Sequence, residues 1–155
     1  MNLISEKTFE SAIVEALIAG GGWIQGDNKV YNKEYALFPP ETFSFLQATQ
    51  KNKWEKISKI HGADTEKKLL QRLCKELDLR GSLDVLRNGF TDYGVRFDMV
   101  YLQPESSLNE QSIELYKLNI LSVTRQVFYS AQNNNSLDLV LSVNGIPVAT
   151  LELKN

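Results

Sequence analysis

The chain has 155 residues, of which 43% are hydrophobic and 23% are charged, and its formal net charge is −2. This length and composition predict one globular domain with one hydrophobic core and exclude a disordered or fibrous chain. No apolar run approaches the ~18 residues that a membrane span needs. The first residues include glutamates where a signal peptide would carry basic side chains. We therefore expect a cytoplasmic protein without a membrane partner.

Cysteine and histidine are too scarce to build the usual metal and catalytic sites. The single cysteine, Cys74, excludes an internal disulfide and a cysteine-based zinc site, and the single histidine, His61, excludes two-histidine arrangements. Any catalysis must therefore use carboxylates and lysines. Residues 51–80 hold nine basic and five acidic side chains, an excess of four. This excess fits either a DNA-contacting patch or a solvated helical surface.

Helical patterns dominate the first part of the chain. Ser5 is the expected N-cap of a helix over residues 5–19, and three glycines, 20–22, end that pattern. Shorter helical segments are expected within residues 39–60, and a stronger helix over residues 64–79 presents leucines on one face.

Strand patterns follow. The expected elements, in chain order, are a strand over 95–101, a short helix over 109–117 and strands over 120–129, 137–143 and 146–154. Asn144 and Gly145 join the last two strands, which is a strong hairpin signal. The fold class is therefore α+β, or mixed α/β, with N-terminal helices packed on a mostly antiparallel sheet. We interpret residues 1–155 as one domain with a helical part over about 1–90 and a sheet over about 94–155.

Asn155 comes directly after the last predicted strand, with no cap, turn or helix to cover that strand. We expect the native chain to continue, so that this domain is truncated at its C-terminal end. An uncovered strand also invites self-association with a second copy of the chain.

Three charged side chains interrupt the apolar pattern of the last two strands. Side chains alternate between the faces of a strand, so Glu152 and Lys154 share one face. A two-residue turn would place Asp138 on the opposite face. A three-residue loop over 143–145, with its glycine at positive φ, pairs Asp138 with Thr150 and makes Glu152 its diagonal neighbour at roughly 7–8 Å. We therefore predict the three-residue loop and the convergence of the three side chains.

These residue types suit a Mg²⁺ site. Mg²⁺ prefers oxygen ligands, so Asp138, Glu152 and the backbone carbonyl of Leu153 are the expected ligands. The ion polarises a phosphate, and Lys154 would orient a water molecule or stabilise negative charge on the phosphate. Glu and Lys two residues apart are also common on a solvated strand, which is the alternative for this pattern alone. The apolar surroundings favour the functional interpretation.

The chain resembles a known family in its last third. The segments LNILSVTRQVFYS (118–130) and SLDLVLSVNGIPVATLELKN (136–155) closely resemble the N-terminal nuclease domain of type I restriction enzyme R subunits, in the PD-(D/E)xK superfamily. Asp138 matches the family's strand aspartate, and Glu152 and Lys154 match its ExK pair.

The resemblance extends to the opening helix, FESAIVEALIAGGGW, where Glu10 matches a glutamate that the family sometimes places near the metal. The alternative for Glu10 is a position at the border of an apolar helical stripe. Arg125 and Gln126 face either the cleft or the solvent, and we leave both out of the predicted site.

The resemblance implies a magnesium-dependent endonuclease domain that hydrolyses double-stranded DNA in defence against foreign DNA. Sequence recognition would belong to the specificity and modification subunits, and ATP only to the subunit's own motor domains, which this chain lacks. The family's Gln-x-x-x-Tyr helix is also absent, so we expect the chain alone to be weak or inactive. Two alternatives are a non-catalytic DNA-binding or assembly module of the same complex and a stand-alone nuclease of the same superfamily.

Overall fold

The computed structural model describes residues 5–154, so Asn155, which follows the last predicted strand, lies outside the described residues. Within that range, the helices are α1 (Glu6–Gly21), α2 (Pro39–Thr49), α3 (Lys51–His61), α4 (Thr65–Arg80), α5 (Ser82–Asn88) and α6 (Glu110–Lys117). The strands are β1 (Ile24–Gln25), β2 (Phe90–Asp92), β3 (Val95–Phe97), β4 (Leu121–Phe128), β5 (Ser136–Val143) and β6 (Ile146–Leu151). The predicted α+β class is confirmed.

The chain divides into two compact units. The first comprises the described residues up to Phe38 together with those from Ile120 onward. It contains a four-stranded sheet in the order β1-β4-β5-β6. The β4-β5 and β5-β6 pairs are antiparallel, whereas β1 pairs with β4 in parallel. The sheet is therefore mostly antiparallel, as expected, but the sequence analysis missed β1 because two residues are too short to show a periodicity.

Helix α1 covers one face of this sheet. The Ser5 side chain accepts a hydrogen bond from the Thr8 amide, so the predicted N-cap is confirmed, and Gly22 ends the helix at φ +70°. Val14 of the helix packs with the fully buried Val123 and Leu139, and Leu151 borders this cluster. These contacts hold α1 against β4, β5 and the last residue of β6.

A second apolar cluster contains Phe38, Val127 and Val140, with Val30 and Tyr31 at its border. The ring centroids of Tyr31 and Phe38 lie 5.1 Å apart. The alternation along β5, where Leu139 and Val140 belong to different clusters, gives the sheet an apolar layer on each face.

The second unit, residues 39–119, contains helices α2 to α6 and the hairpin β2-β3. Leu69 and Leu73 of α4 are buried at the predicted helical spacing. His61, the last residue of α3, lies with its Nε2 2.6 Å from the Asp92 Oδ2 on β2, and both side chains are buried. The predicted strand over 95–101 was too long, because β3 ends at Phe97. Among the helices of residues 5–154, none combines the length and the apolar character that crossing a membrane requires.

The predicted three-residue hairpin loop is wrong. Val143 pairs with Ile146, so β5 and β6 are joined by the two residues Asn144 and Gly145. Both have positive φ, +51° and +83°, which is the conformation of the two-residue turns that match the twist of the strands. Positive φ at the glycine is the part of the loop prediction that is confirmed.

A β-bulge shifts the register farther along the same hairpin. Ser142 pairs with Pro147 but Leu141 pairs with Ala149, so Val148 is the extra residue on β6. Proline has no amide hydrogen to donate to a ladder, which makes this segment a suitable place for an irregularity. The bulge thus shifts the register by one residue, in the direction opposite to the shift that the predicted three-residue loop would give.

The new register also corrects the predicted partner of Asp138. Thr150 pairs with Val140 rather than with Asp138, and the last pair of the ladder is Leu139 with Leu151. Strand β6 ends there, whereas the sequence predicted a strand as far as Lys154. Asp138 is therefore the first β5 residue beyond the β5-β6 ladder.

The hairpin turn is held from two sides. The Asn144 amide donates to the Ile120 carbonyl at 2.8 Å, and the Asn144 side-chain oxygen accepts from the Ile120 amide at 2.7 Å. The Phe38 amide donates to the Gly145 carbonyl at 2.9 Å. These bonds explain why Asn144 is fully buried although it lies at a turn.

Candidate functional site

Strands β4 and β5 both change face at one level of the sheet. Val123 and Val127 would share a face of a regular strand, yet they pack in different apolar clusters, and Leu139 and Leu137 show the same change. The change falls between the pairs Arg125 with Leu139 and Val127 with Leu137, the stretch that contains Gln126 and Asp138. The positive φ of Gln126, +49°, interrupts the alternation on β4.

The side chain of Gln126 lies between two carboxylates. Its Nε2 is 3.4 Å from the Glu10 Oε2 and 3.4 Å from the Asp138 Oδ1. Its Oε1 accepts a hydrogen bond from the Ser136 hydroxyl at 3.2 Å. The amide therefore joins α1 to β5 through polar contacts, and it gathers two acidic side chains that lie far apart in the sequence.

Glu10 is 7% exposed, which is unusual for a glutamate. Its second oxygen, Oε1, lies 3.9 Å from the Arg125 Nη1, and that same nitrogen donates to the Ser11 hydroxyl at 3.2 Å. The Arg125 Nε is buried and has no hydrogen-bond partner in the part of the chain that the structure describes. Glu10 is thus held between a guanidinium and an amide instead of bordering an apolar stripe only.

Asp138 uses its other oxygen to bind the end of the hairpin. Its Oδ2 accepts a hydrogen bond from the Leu153 backbone amide at 2.7 Å. A carboxylate here takes the place of the strand carbonyl that would accept this amide in a longer ladder. The bond anchors the segment that carries Glu152 and Lys154, directly beyond the end of β6.

Glu152 and Lys154 are exposed, and neither side chain forms a hydrogen bond or ion pair with another side chain of residues 5–154. Their convergence with Asp138 stays a prediction, as does the role of the Leu153 carbonyl as a ligand. Within the described residues, no group of three or more His, Cys, Asp or Glu side chains is arranged to hold a metal ion. The contacts join Asp138 to Glu10 through Gln126, and to the Leu153 backbone.

Arg125 and Gln126 were not part of the predicted site, yet both contact Glu10. A signal was available, because these two polar residues interrupt the strand sequence LSVTRQVF just as Asp138 interrupts its partner strand. Alternation could not assign them to one face, since the face changes where they lie.

Asn28 stabilises the backbone at this change of face. Its side-chain Nδ2 donates to the Arg125 carbonyl at 3.2 Å and to the Gln126 carbonyl at 3.0 Å. We expect Asn28→Ala to lower the free energy of unfolding by about 1–2 kcal/mol, because two carbonyls lose a donor beside a strained residue. Thermal unfolding measures the loss. Asn134→Ala, at an exposed position, is the control, and an equal melting temperature for both variants would contradict the support assigned to Asn28.

These observations define a class of protein: an α+β domain in which a buried glutamate of α1 and a partly buried aspartate of β5 meet one amide of the sheet, compatible with a restriction-endonuclease-like nuclease domain. A family profile described as type I restriction enzyme R protein N terminus matches residues 4–155. The match spans nearly the whole chain, and the chain belongs to this family. Comparison with curated proteins and with solved structures found no match.

Proposed function

We propose that this chain is the endonuclease domain of a type I restriction enzyme R subunit and that it hydrolyses phosphodiester bonds of double-stranded DNA with Mg²⁺. The observation that carries the proposal is the approach of Glu10 and Asp138 to one amide nitrogen, at 3.4 Å each, in a member of this family. Two carboxylates brought together in this way attract a cation.

The donor chemistry fits Mg²⁺. Asp138, Glu152 and the Leu153 carbonyl are the proposed ligands, and Glu10 contributes a further carboxylate from α1. All four donors are oxygens, which a hard cation prefers over nitrogen and sulfur. Mg²⁺, when bound, supplies positive charge that polarises the scissile phosphate.

The proposed roles of the protein side chains follow from their charges and positions. The Asp138 bond to the Leu153 amide keeps the segment of Glu152 and Lys154 beside the acidic pair. The Lys154 ammonium would stabilise the negative charge that develops on the phosphate oxygens and orient the attacking water. The water oxygen would bond to phosphorus as the water gives up a proton to solvent, the bond from phosphorus to the leaving oxygen would break, and the leaving oxygen would take up a proton from solvent.

Membership in this family suggests the partners that we propose for the domain. Because the net charge is −2, binding of this domain to DNA would release few counterions and would be weak. Other parts of the complex would therefore supply most of the affinity for the duplex. We assign sequence recognition to specificity and modification subunits, and ATP-driven movement to motor domains of the same R subunit. Such a complex would work in the cytoplasm against foreign DNA.

The test uses an R subunit that carries this domain, assembled with its partner subunits. We expect Glu152→Gln and Lys154→Gln each to reduce cleavage of unmodified plasmid by about a hundredfold or more, as the loss of a transition-state contact does. ATP-driven translocation should persist, because motor chemistry would lie in other domains. Plasmid nicking and linearisation on gels, and displacement of a DNA triplex, measure the two activities.

The control variants are Glu15→Gln and Lys7→Gln, two exposed side chains of α1. They make the same changes of charge and should cleave as the unaltered subunit does. Loss of cleavage and translocation together in folded Glu152→Gln protein would favour a non-catalytic assembly module. Full cleavage by both site variants would overturn the assigned site.

A further inference from the structure

Gln126 is held in a backbone conformation that its residue type disfavours. Left-handed φ costs an L-residue roughly 1–2 kcal/mol, and residues with such strain persist where the surrounding structure holds them, often at functional sites. Here Asn28 binds the carbonyl of Gln126, and the paired residues on either side, Arg125 and Val127, fix the strand. The strain has a visible consequence, since it turns the Gln126 side chain toward Glu10 and Asp138.

The amide of Gln126 matches this position chemically. A carboxamide nitrogen carries two hydrogens, and ionised carboxylates only accept hydrogen bonds. One nitrogen can therefore serve Glu10 and Asp138 at once, and it offsets the repulsion between two negative charges brought close together.

The orientation of the amide follows from the two carboxylates, which only accept hydrogen bonds and therefore require the nitrogen on their side, and the Ser136 hydroxyl is compatible with it. The Ser136 hydroxyl donates to the Gln126 Oε1 at 3.2 Å, with Nε2 facing the carboxylates. The reversed amide would place its oxygen against two carboxylates, which is unfavourable. The second oxygen of each carboxylate also has a partner. Arg125 faces Oε1 of Glu10, and the Leu153 amide donates to Oδ2 of Asp138.

We propose that Gln126 is a positioning residue whose amide holds the carboxylates of Glu10 and Asp138 at a separation from which both face one divalent cation. The inference rests on the proposed function. Gln126 itself does not coordinate the ion. It orients the two carboxylates before the cation binds, so that the free energy of cation binding is not reduced by the entropy cost of ordering two side chains.

Two substitutions separate the side chain from the strained backbone. Gln126→Asn keeps an amide and a residue type that tolerates left-handed φ, but it is one methylene shorter and does not reach both carboxylates. Gln126→Glu keeps the length and removes the donor. Gln132→Glu makes the same change of charge at an exposed position of the β4-β5 connection and is the matched control.

The readout is direct binding of Mn²⁺ to the chain, measured by electron paramagnetic resonance, with thermal unfolding in chelator and in Mn²⁺. We expect Gln126→Asn to weaken Mn²⁺ binding by about tenfold, as the loss of a residue that orients metal ligands does. Gln126→Glu should melt at a lower temperature in chelator and gain more from Mn²⁺ than the unaltered chain, because the cation then replaces the missing donor. Gln132→Glu should behave as the unaltered chain.

The possible results distinguish a failure of the role assigned to Gln126 from a failure of the proposed metal site. No Mn²⁺ binding by the unaltered chain would overturn the proposed metal site and the role of Gln126 together. Binding that is lost in Asp138→Asn but unchanged in Gln126→Asn would overturn the inference alone. A purely structural role predicts equal losses of melting temperature in chelator and in Mn²⁺, with unaltered affinity. If Gln126→Glu does not fold, the affinity of Gln126→Asn decides.

Discussion

Replacing Asp138 with Asn is expected to reduce DNA cleavage by roughly a thousandfold, because a cation at a phosphate contributes several kcal/mol of charge stabilisation and each 1.4 kcal/mol is about tenfold in rate. The substitution keeps the shape of the side chain but removes its charge. It also leaves one oxygen to serve both the Leu153 amide and Gln126, which Asp138 serves with two.

The stability of Asp138→Asn should change far less than its activity. One negative charge fewer beside Glu10 lessens repulsion, which offsets the weakened hydrogen bonds. Cleavage by the assembled restriction complex and thermal unfolding of the chain measure the two effects. Glu34→Gln, at an exposed carboxylate outside the helices, is the control and should leave both unchanged. Cleavage within tenfold of the unaltered enzyme would place the reaction elsewhere in the protein.

A second large effect is expected in the other unit, where Gly89 meets the backbone of β3. Gly89 ends α5 with φ +68° and ψ −166°, and a Cβ added there would lie 2.1 Å from the Phe97 carbonyl oxygen. That oxygen belongs to a fully buried residue paired with Phe90, so it has little freedom to move. We expect Gly89→Ala to lower the free energy of unfolding by about 2–5 kcal/mol through backbone strain and overpacking.

Gly94 provides a matched control. It has φ +76°, and a Cβ there would meet no atom within 4 Å. Gly94→Ala therefore carries the strain of positive φ without the clash, and should cost about 1–2 kcal/mol. Thermal or urea unfolding compares the two variants. Equal losses would mean that the backbone of Phe97 yields to the added methyl group.

The local pattern of the sequence was sufficient for the main helices and for the place of the hairpin. Helix α1 begins after its Ser5 cap and ends in the glycine run, and α4 buries the leucines that recur at helical spacing. Asn144 and Gly145 form the turn that this dipeptide favours. These features depend on residues within a few positions of one another, which is why a single sequence reveals them.

The register of the hairpin was beyond the sequence. Turn length and bulge position each shift the pairing by one residue, and a one-residue shift exchanges the two faces of a strand. A three-residue loop was predicted, whereas the chain combines a two-residue turn with a bulge beside Pro147, which shifts the register in the opposite direction. Because β5 has apolar residues on both faces, its hydrophobic pattern does not distinguish one register from the other.

The sequence by itself was enough to propose which residues carry the chemistry, because Asp138, Glu152 and Lys154 are charged positions in an otherwise apolar pattern and match the family's motif. The tertiary structure alone decided that Glu10 meets Gln126, 116 residues away, and that Gln126 adopts positive φ to face it. The residue types predict neither fact, since glutamine rarely adopts positive φ and the two residues lie far apart in the sequence. This conformation arises from Asn28, Ser136 and the packing of α1, all of which act on the strand only after the sheet has formed.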